Sequence, residues 1–200
     1  MKAFVILFLS FVVLCSGQSV AAEKCKYQEN VTDKFTKVVT RWTKWNELMN
    51  GWTRNFRDYS PIISVHSFDG DVQLRLKIEY FVQKSEEPAG IDLEDVIYVL
   101  EDAPLLIMMS DKSVTRLTAM TEVRTDAYVI PPEEQHTQES NMYYRKASAV
   151  IKFALDEEAM KTLASQPATK LRLTMANKDL DFDVHKKSVD DLRSAIQCVI

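Results

Sequence analysis

Near the C-terminus, Leu171, Leu173 and Met175 alternate with polar residues, and after a short polar gap Leu180, Phe182 and Val184 do the same. A period of two is what a strand with one buried face needs, and a slip of one residue would turn the whole apolar set to solvent. With Asn177 and Lys178 as a two-residue turn, Met175 faces Leu180, Leu173 faces Phe182 and Leu171 faces Val184, while Arg172 meets Asp183 on the other face. This pattern commits the segment to an antiparallel sheet buried on one side.

The neighbouring residues extend the same logic. Ala149, Ile151, Phe153 and Leu155 share one face of a strand predicted from Ala147 to Leu155. Asp156 suits a helix N-cap, Glu157 and Glu158 suit the first turn, and Leu155 and Met160 stand at the positions of a hydrophobic staple. Pro167 stops that helix soon after Gln166. A second helix is predicted from Ser188, with Val189, Leu192, Ala195, Ile196 and Val199 as its apolar stripe.

Earlier, Asp69-Gly70 joins two alternating runs, 62–68 and 71–82, and Asp-Gly is a preferred pair where both turn residues need positive φ. That turn puts Ile63 opposite Leu76 and Val65 opposite Leu74. It leaves Gln73, Arg75, Lys77 and Glu79 on a face expected to be wet, with His66 among them opposite Gln73. Further strands are expected at Val96 to Leu100, Leu105 to Met109, Val114 to Met120 and Glu122 to Ile130, separated by turns. Lys84 to Gly90 and Pro131 to Asn141 read as polar loops. The fold class that follows is α+β dominated by antiparallel β, a sandwich or a curled, partly closed sheet, with two short helices in the C-terminal third.

At the N-terminus, Met1 and Lys2 precede an apolar run from Ala3 to Cys15, followed by small residues ending in Val20-Ala21-Ala22. This has the form of a secretory signal peptide, residues 1–22, cleaved after Ala22, too short to remain as a membrane span. Residues 23–200 are then expected to form a single globular domain with no transmembrane segment. Only Cys25 and Cys198 remain, and two cysteines in an exported chain imply a disulfide tying the two ends together. A secreted or periplasmic location is expected, the short leader suiting a bacterial periplasm. The mature chain has a net charge of −5, which argues against general nucleic-acid binding.

Sequence motifs for chemistry are absent. His66, His136 and His185 are scattered without metal-ligand spacing, and neither a nucleophile elbow nor a phosphate-cradling loop occurs. No cofactor, no metal and no catalytic activity are expected. The one segment that departs from the bulk is 35–58. Trp42, Trp45 and Trp52, the chain's three tryptophans, fall there among Lys37, Arg41, Lys44, Arg54 and Arg57, with Glu47 the single opposing charge between 37 and 57. Aromatic faces with interleaved cations can stack on sugar rings or sit beside anionic groups. Phe35, Val38, Trp42, Trp45, Met49, Trp52 and Phe56 have the 3-4 spacing of a helical stripe, yet Thr36, Val38, Val39, Thr40 and Thr43 are dense in β-branched residues. A strand from about Thr36 to Leu48 is preferred, with Trp42 and Trp45 on opposite faces. Trp42, Trp45, Trp52, Arg41 and Lys44 are the candidate ligand-binding residues. The expected function is a non-catalytic binding or interaction domain for an envelope glycan, a lipid head group or an envelope protein. The alternative is a small secreted hydrolase whose site is assembled from separated residues.

Overall fold

A computed structural model of the chain describes residues 25–49, 59–84, 96–131 and 143–200. In chain order the strands are β1 (Tyr27–Thr32), β2 (Val39–Thr43), β3 (Asn46–Glu47), β4 (Tyr59–Phe68), β5 (Asp71–Lys84), β6 (Val96–Val99), β7 (Pro104–Met109), β8 (Val114–Thr118), β9 (Val123–Asp126), β10 (Tyr128–Ile130), β11 (Tyr143–Ala154), β12 (Ala168–Thr174) and β13 (Asp179–Asp183). Helix α1 (Glu157–Ser165) lies between β11 and β12, and α2 (Asp191–Gln197) follows β13. Every strand pair is antiparallel. A seven-stranded sheet runs β1-β2-β4-β5-β11-β10, with β3 also paired to β4. A four-stranded sheet runs β13-β12-β7-β8, and β6 pairs with β9. The class is therefore α+β with β dominant, the sheets open and the helices late in the chain.

The β4–β5 hairpin adopts the register that its alternation predicts: Ile63 opposite Leu76, Val65 opposite Leu74 and His66 opposite Gln73. Asp69 and Gly70 both have positive φ, 50° and 89°, as a type I′ turn demands. A Cβ at Gly70 would meet nothing within 4 Å, so the constraint there is purely one of backbone conformation. Gly70→Ala should cost about 1–2 kcal/mol, the penalty an L side chain incurs at positive φ. Urea unfolding measures this, and an unchanged midpoint would show that the turn relaxes freely.

The β12–β13 hairpin keeps its predicted face but not its predicted partners. Leu173 pairs with Leu180 and Leu171 with Phe182, so the register differs by two residues. An even shift preserves parity, and all four residues remain buried. The turn moves to Ala176 and Asn177 because the Met175 N–H donates to the Lys178 carbonyl at 2.8 Å, while the Ala176 N–H donates to Tyr98 on β6, also at 2.8 Å. On the exposed face Arg172 consequently grips Asp181 with two bonds, at 2.6 and 2.8 Å, and Lys170 takes Asp183.

Helix α1 begins as predicted, with the Asp156 carboxylate accepting the Ala159 N–H at 2.7 Å. Helix α2 starts three residues later than Ser188, because 185–191 are taken up by tight turns in which Ser188 donates to His185 and Asp191 to Ser188. The stretch from Glu122 to Ile130 forms two strands rather than one. Buried Ala127 separates β9, which pairs with β6, from β10, which pairs with β11. Strand β1 carries no apolar alternation and has five exposed positions out of six, which is why it escapes detection in the sequence. The predicted loops fall mainly on 85–95 and 132–142, outside the described residues, as does His136.

One core joins the sheets. Ile63, Val65, Leu74, Leu76, Ile151 and Phe153 from the large sheet belong to the same buried cluster as Leu105, Ile107, Leu171, Leu173 and Phe182 from the smaller one. A bridge between Ala119 and Phe153 links the end of β11 to the segment following β8. The Cys25–Cys198 disulfide forms, with Cα atoms 5.6 Å apart across a sequence separation of 173. Two further bonds hold the same corner: the Tyr27 hydroxyl donates to the Cys198 carbonyl at 2.6 Å, and Arg41 Nη1 donates to the Val199 carbonyl at 3.2 Å.

Candidate functional site

The aromatic–basic segment is a strand that breaks and restarts. Strand β2 ends at Thr43, β3 begins at Asn46, and Lys44 and Trp45 lie between them. Against β4 the register shifts by one residue across this break, from Trp42 opposite His66 to Asn46 opposite Ile63. This interruption cancels the alternation, so Trp42 and Trp45 do not point to opposite faces. Their rings meet edge to face, with centroids 6.5 Å apart, and both are half-buried. The helical alternative also fails, since Phe35, which would have shared the stripe, is 95% exposed in the turn between β1 and β2.

The pleat sets what lies beneath the indoles. Even-numbered positions of β2 and β4 and odd-numbered positions of β5 project from the outer face of the large sheet, away from Val65 and Leu74. Register places Glu29, Trp42, His66 and Gln73 in one row across four strands, and Ser64, Arg75 and Lys152 in the next. Trp42 leans from the first row over the second. Its Nε1–H donates to the Ser64 hydroxyl at 3.2 Å, its ring lies 5.8 Å from the His66 ring, and the Arg75 guanidinium carbon sits 4.5 Å from its centroid. The same guanidinium is 5.6 Å from the Trp45 centroid. Covered in this way, the face expected to be wet is half-buried from Gln73 to Glu79, and Ser64 is fully buried.

Electrostatically this is a concentration of positive charge. Arg75 makes no ion pair among the described residues, its Nε is buried without an acceptor, and burial lowers its pKa. Lys152 stands directly opposite it on β11, a like-charge pairing that disfavours the sheet. His66 registers the resulting field: burial lowers its pKa first, Arg75 and then Lys152 lower it further, and Glu29 alone opposes them.

Of the five residues nominated from sequence, the structure brings together Trp42 and Trp45. Arg41 is a structural tie on the opposite side of β2, bonded to Val199. Lys44 is exposed at the strand break, and Trp52 lies outside the described residues. Arg75, His66, Ser64 and Lys152 were missed as members. The predicted hairpin already set Arg75 against Ser64, but nothing in the sequence revealed that β2 would pair with β4 and carry Trp42 over both.

A separate cleft of about 70 Å³ lies beside the disulfide, lined by Lys26, Thr43, Asn46, Asp191 and Ser194 among others. Among the described residues that line it there is no histidine. Among the described residues there is no group of three metal-ligating side chains, and no helix is long and apolar enough to cross a membrane. Comparison with protein-family models, with curated proteins and with solved structures finds no significant match.

Proposed function

We propose that the chain is an exported, non-catalytic binding domain, and that the outer face of its large sheet, around Trp42, Trp45, His66 and Arg75, takes an acidic glycan. One observation carries the reading: the Arg75 guanidinium is held against two indoles without a counter-carboxylate among the described residues. A desolvated cation strengthens any charge-assisted bond it makes, and the neighbouring ring faces suit the apolar face of a sugar. A carboxylated or sulfated sugar supplies both the anion and the ring. A membrane surface suits the site less well, because Gln73, Lys77 and Glu79 interrupt the apolar area that interfacial insertion needs. Export agrees with the disulfide, which persists in oxidising compartments.

The test is calorimetric titration with oligogalacturonate and heparin fragments, alongside vesicles of anionic lipid. Acidic sugar is expected to bind, and Arg75→Gln to weaken binding about tenfold or more, as loss of a hydrogen bond to a charged group does. The pH dependence has a definite sign. A bound anion favours protonated His66, whereas Arg75 and Lys152 oppose that form in the free protein, so protons are taken up on binding and affinity rises as pH falls from 7.5 to 5.5. His66→Gln should flatten that profile. Binding to vesicles but to neither sugar would overturn the proposal.

A further inference from the structure

We infer that the ligand is a chain of sugars rather than a single one, because the same face carries a second aromatic–cation cluster built around Phe81, Tyr144 and Lys146. This inference rests on the acidic-glycan reading of the Trp42 end. Phe81 and Tyr144 stack with centroids 5.0 Å apart and an interplanar angle of 22°. Lys146 Nζ lies 5.4 Å from the Phe81 centroid, and Tyr128 is its neighbour in the same cross-strand row. Phe81 is 45% exposed and Tyr128 59%. Lys146 makes no ion pair among the described residues. These rings add nothing to the core, since they stand on the opposite side of β5 and β11 from Ile78, Tyr80, Ala147 and Ala149.

The placement of the two clusters is what identifies the occupant. Arg75 pairs with Lys152 and Phe81 pairs with Lys146, so both clusters lie on β5 and β11, six residues apart. At about 3.3 Å per residue the separation is about 20 Å. Between them Lys77 and Glu79 neutralise each other across 2.6 Å, and Ser148 and Val150 complete the lane. The cations without an acidic partner among the described residues therefore stand at the two ends, beside ring faces, with a neutral track between. A monosaccharide covers one end. An extended acidic polymer covers both, and joining two weak sites through one ligand raises affinity well beyond either.

The experiment compares an oligogalacturonate trimer, which fills one cluster, with a dodecamer, which reaches both, on the full mature protein and on Phe81→Ala and Lys146→Gln. The parent is expected to bind dodecamer about tenfold or more tightly than trimer. Both variants should lose most of that advantage while keeping the parent's affinity for trimer. The extra binding registers of a longer chain persist in the variants, so only the bridging contribution disappears. Phe81 is partly exposed, and an unchanged melting temperature confirms that the variant is folded. Equal affinity for the two lengths, or a dodecamer advantage that survives both substitutions, overturns the inference and leaves the first cluster standing. Failure of the parent to bind even trimer removes the acidic-glycan reading itself, and this inference with it.

Discussion

The double variant Cys25→Ser/Cys198→Ser is expected to melt about 10–20 °C below the oxidised parent. The bridge joins residues 173 positions apart in a chain of 200. A loop of that length constrains the unfolded chain by about 5 kcal/mol on entropic grounds. For a domain of this size each kcal/mol corresponds to about 2–4 °C. The native side of the balance points the same way. Among the described residues strand β1 pairs with β2 alone and has little buried surface, so without the bridge it is held there by its β2 ladder and by the Tyr27 bond to Cys198. Reduced parent and double variant should melt together. If the parent melts at the same temperature with and without reductant, the bridge contributes nothing and the corner is held by Tyr27 and Arg41 instead.

The second large effect is expected at Phe153. Its side chain is fully buried, faces Leu74 across the β5–β11 pair, and lies where Ala119 bridges β11 to the chain following β8. Replacement by alanine removes the transfer free energy of the ring and leaves a cavity where the two sheets share one core, a loss of about 3–5 kcal/mol. Denaturant unfolding measures it directly. The contrast within the same sheet is Phe81→Ala, where a partly exposed ring should cost much less. A loss at Phe153 below about 1.5 kcal/mol would mean that the sheets collapse into the space, and that the junction is less rigid than its burial implies.

How far the fold could be read depends on which interactions are local. The β4–β5 register was legible because Asp69-Gly70 fixes a turn and the turn fixes every pair after it. Helix α1 was legible because its cap and its stop are encoded within a few residues of each other. At β12–β13 the alternation determined the face, but the partners moved by two because a bond from Ala176 to Tyr98, nearly eighty residues away, selected the turn. The Glu122 to Ile130 stretch divided at Ala127 for the same kind of reason: its two halves were claimed by different sheets.

The candidate site divides along the same line. Composition singled out Trp42 and Trp45, and the hairpin register already set Arg75 against Ser64. Periodicity then put the two tryptophans on opposite faces, which is correct for an uninterrupted strand and wrong here, because one extra residue between Trp42 and Asn46 shifts the register against β4. Charge gave no better guide: Arg41, the nearest cation in sequence, turns inward to Val199, while Arg75, more than thirty residues on, supplies the guanidinium over the rings. Sequence alone determined the class of fold and the faces of its best strands, since turns, caps and alternation act over a few residues. Tertiary structure decided which strands became neighbours and which side chains crossed from one to the next. Those choices depend on hydrogen bonds between segments that the chain order does not relate.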